Sequence, residues 1–319
     1  MSTVNIVMAT YQGERFLGEQ IESILHSGYT DWCLYIADDG STDRTVEIAK
    51  SFEKRYPERI HVHVNSRNRG CTLNFLSALK RTANRAGESA CSSNVPGYYM
   101  FCDQDDVWMP DKIEQTLRYM KQMEKKYGKQ APAAVFTDAR VVDEKLTQIY
   151  RSFYLVSRLD TRRLDLAHIL MENKLIGCTM MMNDALVSML TELPEYARYH
   201  DWWMALIAAA FGHIGYYPAV TLSYRQHGGN EVGTRKFSEY VKIRLGALKK
   251  QKEELLLTQK QAESFLEMYG QKLNEKNRRL IGNFAVLSKM NWAKRRWCML
   301  RYRYYKTGIV RNIGVFLIL

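Results

Sequence analysis

The sequence predicts an α/β protein: a mixed, mainly parallel sheet flanked by helices, then a basic helical extension. Three observations predict it. Apolar runs and helix-spaced segments alternate four times before Asp111, the pattern of a parallel sheet with a nucleotide-type crevice. The apolar run Tyr98–Cys102 stops abruptly at acids, with Asp103, Asp105 and Asp106 falling within four residues. The charge is split: residues 232–319 hold 20 Lys and Arg against 6 Asp and Glu, whereas residues 1–231 hold 26 against 28. A boundary near Val232 follows, with 1–231 as the α/β unit and 232–319 as an extension suited to an anionic partner.

The elements follow in order. Val4–Ala9 is a buried strand broken by Thr10-Tyr11-Gln12-Gly13. Phe16, Leu17, Ile21, Ile24 and Leu25 recur at helical spacing, and Gly28 stops that helix. Trp32–Ala37 is the second strand. Gly40 beyond it permits a positive φ, and Ser41 or Thr42 is placed to cap a helix through Val46, Ile48, Ala49 and Phe52. Ile60–Val64 is the third strand, and Asn68-Arg69-Gly70 leads into a helix through Leu73, Phe75, Leu76 and Leu79. Ala86–Gly97, rich in Ser, Gly and Ala, reads as an exposed insertion before the strand Tyr98–Cys102. Pro110 opens a helix from Asp111 to about Tyr127. Ala133–Thr137 is a strand ending at Asp138, Thr147–Arg163 is irregular, and Gly177–Met182 is a buried strand. His200-Asp201-Trp202-Trp203 opens a helix that is apolar nearly all round and therefore buried. Leu222–Gln226 is the last strand, followed by the flexible loop His227-Gly228-Gly229-Asn230.

Acids at the carboxyl end of a strand sit where open α/β sheets bind ligands. Like charges this close repel, so a cation among them is expected. Carboxylate oxygens suit Mg2+ or Mn2+, and one or two carboxylates plus substrate phosphates complete such sites. The plain alternative is a solvated acidic loop capping a helix. Phosphate-binding loops are missing. Gly13–Gly18 has P-loop glycine spacing, but Glu19-Gln20 stand where Lys and Ser or Thr are needed, and no GxGxxG follows a strand. A diphosphate must then be held by a metal and basic side chains. Asp201, in the first turn of its helix, is either a dipole-stabilised capping residue or part of a pocket wall with Trp202 and Trp203.

Composition narrows the class. No run of about 18 apolar residues exists, so no spanning helix is expected. The start Met1-Ser2-Thr3-Val4-Asn5 lacks a basic region followed by an apolar stretch, and the six cysteines form no CxxC pair. The expectation is a cytoplasmic protein with reduced thiols.

Five pieces, in this order, resemble family 2 glycosyltransferases with the GT-A fold: Ala9-Thr10-Tyr11-Gln12-Gly13, Ala37–Asp43, Asn68-Arg69-Gly70 with Asn74, Asp103-Gln104-Asp105-Asp106, and His200-Asp201. The resemblance covers residues 4 to about 233. Asp-Gln-Asp-Asp-Val-Trp, His-Asp-Trp-Trp and Tyr224-Arg225-Gln226-His227-Gly228 resemble the bacterial rhamnosyltransferase-type branch. The resemblance implies that Thr10, Tyr11 and Asp39 hold the nucleotide base and that Arg69 stands beside the nucleotide. Glu14, Asn68, Gly70, Asn74 and Gln104 join them in nucleotide-sugar binding. Asp103 and Asp105 are implied for metal and ribose, His227 for a metal or phosphate contact, and Asp201 as the catalytic base. Trp108, His200, Trp202 and Trp203 are candidates for the acceptor or sugar pocket. One departure stands out: the base position is often preceded by an acid, and here His200 precedes it.

The implied function is an inverting, Mg2+- or Mn2+-dependent transfer of a sugar, rhamnose first, from a nucleotide-diphosphate sugar to a glycan or lipid-linked acceptor in bacterial surface polysaccharide synthesis. UDP-hexoses are the alternative donors. A nucleotidyltransferase also uses α/β sheets and paired acids, but needs a basic Gly-rich loop that Thr10–Gly13 lacks. A nucleic-acid-binding module is disfavoured by the near-neutral first part and the absence of a matching motif.

In the extension, Phe237, Tyr240, Val241, Ile243, Leu245 and Leu248 form a broken apolar stripe among Lys242, Arg244, Lys249 and Lys250. Trp292–Arg303 mixes Trp292, Trp297, Leu300 and Tyr302 with Lys294, Arg295, Arg296, Arg301 and Arg303, and the chain ends apolar. Such segments suit an anionic bilayer surface, so peripheral association with the inner face of the cell membrane is expected. A helical hairpin packed on the catalytic part, or a homodimer contact, is the alternative.

Overall fold

Four parallel strands set the position of everything else: β1 (Val4–Thr10), β2 (Trp32–Asp38), β3 (Ile60–Val64) and β4 (Tyr98–Cys102). A computed structural model describes residues 2–88, 97–228 and 248–319. The crossovers are α1 (Leu17–Leu25), α2 (Thr45–Arg55) and α3 (Cys71–Glu88), each amphipathic and buried along its apolar stripe. Register does the aligning. Thr10 lies opposite Asp38, and Met8 opposite Cys102, so the loops that follow β1, β2 and β4 emerge side by side.

The second half of the sheet is mixed. After β5 (Val107–Trp108) and α4 (Lys112–Tyr127) come β6 (Ala133–Val142), β7 (Gln148–Tyr150), α5 (Phe153–Ser157) and α6 (Leu166–Met171). Then follow β8 (Met180–Asn183), α7 (Asp184–Val187), α8 (His200–Phe211) and β9 (His213–Arg225). The strand order is β3-β2-β1-β4-β8-β6-β9-β5, with β7 paired to β6. β8 runs antiparallel to both β4 and β6, whereas β6 and β9 are parallel.

Several expectations need correction. The strand foreseen over Ala133–Thr137 continues to Val142, and the one foreseen from Leu222 begins at His213. The stretch read as irregular holds β7 and α5. Neither Ser41 nor Thr42 caps α2. Asp43 accepts the Thr45 amide (3.0 Å), while the Ser41 hydroxyl donates to Asp38 and Thr42 accepts from the Gln12 amide. Gly40 has the expected positive φ of 82°.

Among the described residues four helices close the chain: α9 (Leu248–Tyr269), α10 (Glu275–Ala285), α11 (Trp292–Tyr302) and α12 (Ile309–Ile318). They share one core with the sheet. Trp203 of α8 meets Phe265 and Tyr269 of α9, and Phe284, Met299 and Val315 are buried in the same cluster. Truncating a fully buried Trp of this kind costs about 3–5 kcal/mol. The opposite face of the sheet has its own core, with Ile6, Leu34, Met100, Ile113 and Met181. The stripe Phe237, Tyr240, Val241, Ile243 and Leu245, the loop Gly229-Asn230, and most of the Ala86–Gly97 insertion lie outside the described residues.

Candidate active site

The aligned strand ends open into a cleft of about 580 Å³. Thr10, Tyr11, Asp39, Asn68, Gly70, Asn74, Asp103, Gln104, Asp105, His200 and Asp201 all line it. These residues come from β1, β2, α3, α8 and the connecting loops, and the sequence reading had singled out each of them.

Backbone amides organise one wall. Asp39, at the end of β2, accepts from the amides of Arg69 (2.9 and 3.0 Å) and Gly70 (2.8 Å) and from the Asn65 side chain (2.9 Å). The same Asn65 amide donates to Asn74 Oδ1 (2.9 Å), and Asn74 Nδ2 donates to the carbonyl of Ala37 (2.8 Å). Gly70, with φ of 82°, turns the chain so that its N–H faces the carboxylate. Beside this wall, Gln104 accepts from the Tyr11 amide (2.9 Å) and donates to the Tyr11 carbonyl (3.0 Å). A Cβ on Gly13 would stand 2.2 Å from Gln104 Oε1, so a larger residue there would displace the Gln104 side chain from Tyr11.

The acidic loop is gripped from β9. Buried Arg225 donates from its amide to Asp106 Oδ1 (3.0 Å), from Nε to the Asp105 carbonyl (2.7 Å) and from Nη1 to the Glu144 carbonyl (2.6 Å), and pairs with Glu19. Two residues on, His227 Nε2 lies 2.7 Å from Asp105 Oδ2 and its ring packs on Phe16. Asp106 is fully buried, and desolvation beside Asp105 and Asp103 holds its carboxyl well above the ordinary range. Its Oδ2 has no hydrogen-bond partner among the described residues.

The donor set can be tested against a divalent cation. Ligand atoms of Asp103, Asp106 and Cys178 lie within 4.8 Å of one another. Burial raises the Cys178 thiol, which therefore stays protonated and suits a hard cation poorly. The carboxyl oxygens of Asp103 and Asp106 suit Mg2+ or Mn2+, whereas Asp105, expected from the sequence to be a ligand, is not in this group and lies against His227. Asp106 was not assigned a role from sequence, although it stands in the same acidic run.

The other wall is dry. Asp201 is buried, and desolvation pushes its carboxyl up to about 6. Four donors oppose that rise: the Asn173 amide (3.0 Å), the Trp202 N–H (2.6 Å) and the N–H groups of Gly177 and of Asp201 itself. His200 stacks on Phe75 (3.9 Å) with Phe101 edge-on (4.6 Å), and burial lowers its imidazole to about 3. Neither of its ring nitrogens has a partner among the described residues. Gly177 makes room for it, since a Cβ there would meet His200 Nε2 at 2.6 Å.

Six candidates do not line the cleft, His227 behind Asp105 among them. Trp202 donates its indole N–H to the Ile169 carbonyl (2.6 Å), Trp203 packs on α9, and Trp108 sits in the second core over Lys112. All three are core residues and do not line the cleft, because α8 and β5 turn these rings into the protein. Glu14 accepts from the Arg44 amide (2.9 Å) at the start of α2 and stays outside. Arg69 contributes its backbone N–H; its side chain is exposed and does not line the cleft. Asn173 was missed. It lies in a stretch without periodicity, and no local signal marks it.

Comparison with known proteins adds a family. The family model described as glycosyl transferase family 2 matches residues 5–166. The dTDP-rhamnosyl transferase RfbG of Shigella flexneri is 27% identical over 245 residues, which are 71% of this chain and 73% of that protein. Among solved structures, a mannosyltransferase of Pyrobaculum calidifontis in complex with GDP-Man and Mn2+ is similar, with a TM-score of 0.53 at 15% identity, over 99% of this chain and 84% of the other. TarS 1–349 of S. aureus in complex with UDP-GlcNAc is similar too, with a TM-score of 0.52 at 13% identity, over 99% and 90%.

Proposed function

Because the chain belongs to glycosyltransferase family 2, has the GT-A fold and so is a glycosyltransferase, we propose that it is an inverting, cation-dependent enzyme of bacterial surface polysaccharide synthesis. It moves a sugar from a nucleoside diphosphate to a hydroxyl of a glycan or lipid-linked acceptor. One observation carries the reading: a single cleft holds the carboxylates of Asp103 and Asp105 together with Asp201, whose carboxyl is raised to about 6.

Thr10, Tyr11, Asp39, Asn68, Gly70 and Asn74 form the nucleotide wall, and the half-exposed Tyr11 ring offers a face to the base. Arg69 stands at its rim as a charge for the phosphates. Asp103 and Asp106, with Asp105 beside them and His227 behind it, are the residues to hold Mg2+ or Mn2+. When bound, such a cation supplies positive charge where the leaving diphosphate becomes more negative. The acceptor oxygen bonds to C1 on the face opposite the diphosphate. The C1–O bond to the diphosphate breaks and its electron pair leaves with the nucleoside diphosphate. The hydroxyl proton goes to Asp201, and a base with a raised pKa suits that transfer. His200, kept neutral by burial, offers a ring nitrogen to a hydroxyl of the sugar or acceptor.

For the donor, the Asp-Gln-Asp-Asp-Val-Trp and Tyr-Arg-Gln-His stretches and the Shigella relative favour dTDP-rhamnose, with UDP-hexoses as the alternative. The test is incubation with a panel of nucleotide sugars and Mn2+ or Mg2+. Release of nucleoside diphosphate supports sugar transfer, whereas release of pyrophosphate identifies a nucleotidyltransferase. Use of UDP-glucose while the rhamnose donor is ignored reverses the donor choice.

A further inference from the structure

Helices α11 and α12 are anchored by one face and leave an apolar face in solvent. Cys298, Met299, Val315 and Leu319 point into the core. Trp292, Trp297, Leu300, Ile309, Ile313 and Leu317 point out, and each is at least 54% exposed. Ile309, Ile313 and Leu317 are four apart, so they form one continuous stripe along α12. The two helices are tied together. The Arg296 guanidinium lies over both the Trp292 ring (5.5 Å) and the Phe316 ring (5.4 Å), and donates to the Phe316 carbonyl (2.6 Å). Six large apolar side chains in solvent on two adjoining helices exceed the scattered single residues of an ordinary surface.

Charge identifies the occupant. From Trp292 to Leu319 there are seven Lys and Arg and no Asp or Glu. Arg311 is buried against Glu172, but Lys294, Arg301 and Arg303 are exposed beside the apolar residues. A two-fold contact with a second copy would set this acid-free face against itself, bringing like charges together. Among the described residues no helix is long and apolar enough to cross a membrane. Exposed Trp rings, aliphatic side chains and cations on a face that does not span a bilayer are the composition of an interfacial helix pair. We propose that the outer face of α11 and α12 docks on an anionic lipid bilayer.

The inner side of α12 packs on segments that border the cleft. Arg311 donates to the carbonyls of Ser157 (2.6 Å) and Arg158 (3.2 Å) and pairs with Glu172 (3.6 Å). The Thr307 amide donates to the same Glu172 (2.9 Å), and the Asp160 amide donates to the Thr307 hydroxyl (3.2 Å). Leu159 and Asn173, next in the chain to these contacts, line the cleft, and Asn173 holds Asp201. The docking face is thus braced against the wall that carries the base. The proposal does not depend on which sugar is moved.

Tryptophan fluorescence tests it without a mutation. Trp32, Trp108, Trp202 and Trp203 are buried, so a response to vesicles comes from Trp292 and Trp297. The full chain is mixed with vesicles of phosphatidylcholine, with and without phosphatidylglycerol. With phosphatidylglycerol, emission shifts to the blue, quenching by acrylamide falls and the protein co-sediments; high salt reverses all three. Arg301→Gln with Lys294→Gln weakens vesicle binding about tenfold or more, and Ile313→Ser with Leu317→Ser does the same. Both variants keep the wild-type melting temperature. Unchanged fluorescence and no co-sedimentation at low salt overturn the proposal. So does a concentration-dependent dimer in sedimentation velocity that Ile313→Ser with Leu317→Ser dissolves while vesicles bind neither protein.

Discussion

Asp39 and Asp201 are both almost buried and both line the cleft, yet their surroundings differ. Asp39 is held by two backbone amides and an asparagine, all delivered by the turn at Asn68-Arg69-Gly70 and the neighbouring network. Asp201 is met by the Asn173 side chain and by the backbone N–H groups of Trp202, Gly177 and Asp201 itself, yet a desolvated surrounding still pushes its carboxyl to about 6. The first arrangement clamps both carboxylate oxygens through one turn and its neighbour. The second keeps a carboxylate reactive toward a proton. A fold can therefore bury two identical side chains in one cleft with a similar number of N–H donors and still set them apart, by how far burial outweighs those donors at Asp201.

The contrast can be broken most severely on the acidic loop that lies between the walls. Asp105→Ala is expected to abolish transfer, and EDTA to do the same to the wild type, in a nucleoside-diphosphate release assay. Full activity in EDTA sinks the cation reading. Next is the dry wall: Asp201→Asn lowers kcat by about 10²-fold or more while donor affinity by calorimetry stays near wild type. An equal loss of donor affinity makes Asp201 structural and erases the contrast.

The same variant sharpens the comparison through stability. The Asp201 carboxyl is raised in the folded protein, so the fold binds its proton more tightly than the unfolded chain does. That contribution is fully present below the ordinary carboxylate range near pH 4 and is lost as pH rises through about 6. From the ordinary 3.8 to about 6, the loss at neutral pH is about 3 kcal/mol. Asp201→Asn stays neutral, so it melts higher than wild type at pH 7 and no higher at pH 4. Wild-type kcat rises with pH through the same region. The smallest effect is expected from Asn173→Ala, which removes a donor from the charged form and moves the midpoint of that pH–rate curve up by about one unit. A midpoint that does not move shows that Asn173 does not tune the base.

The sequence made the nucleotide wall legible because each part of it is local. Short apolar runs end in Asp or Gly, and the helices between them keep a 3.6-residue stripe, so β1 to β4 were placed within a residue. β9 was half missed: its first part, His213–Thr221, holds Gly215 and Pro218 and carries no strand alternation. Gly215 is there for approach, since a Cβ would stand 2.3 Å from Met123 of α4, and the β6–β9 register shifts beyond Thr137. The dry wall was harder. Asn173 reaches Asp201 through tertiary packing of an irregular segment, and an apolar Trp reads the same in a pocket as in a core. Only the direction in which α8 packs separates His200 and Asp201 from Trp202 and Trp203.

Strand order also sets a timetable for synthesis. β1 to β4 are complete once Cys102 has been made, but the free edge of β4 is covered only by β8, Met180–Asn183, about eighty residues later. At roughly 5–20 residues per second that edge waits about 4–16 s on the ribosome. Tyr-Tyr-Met-Phe-Cys is apolar and carries no charge or proline to discourage pairing with another chain. The nascent protein is therefore most open to aggregation in that interval. A stalled chain ending before Met180 is expected to bind holding chaperones, and one extended past Asn183 to release them.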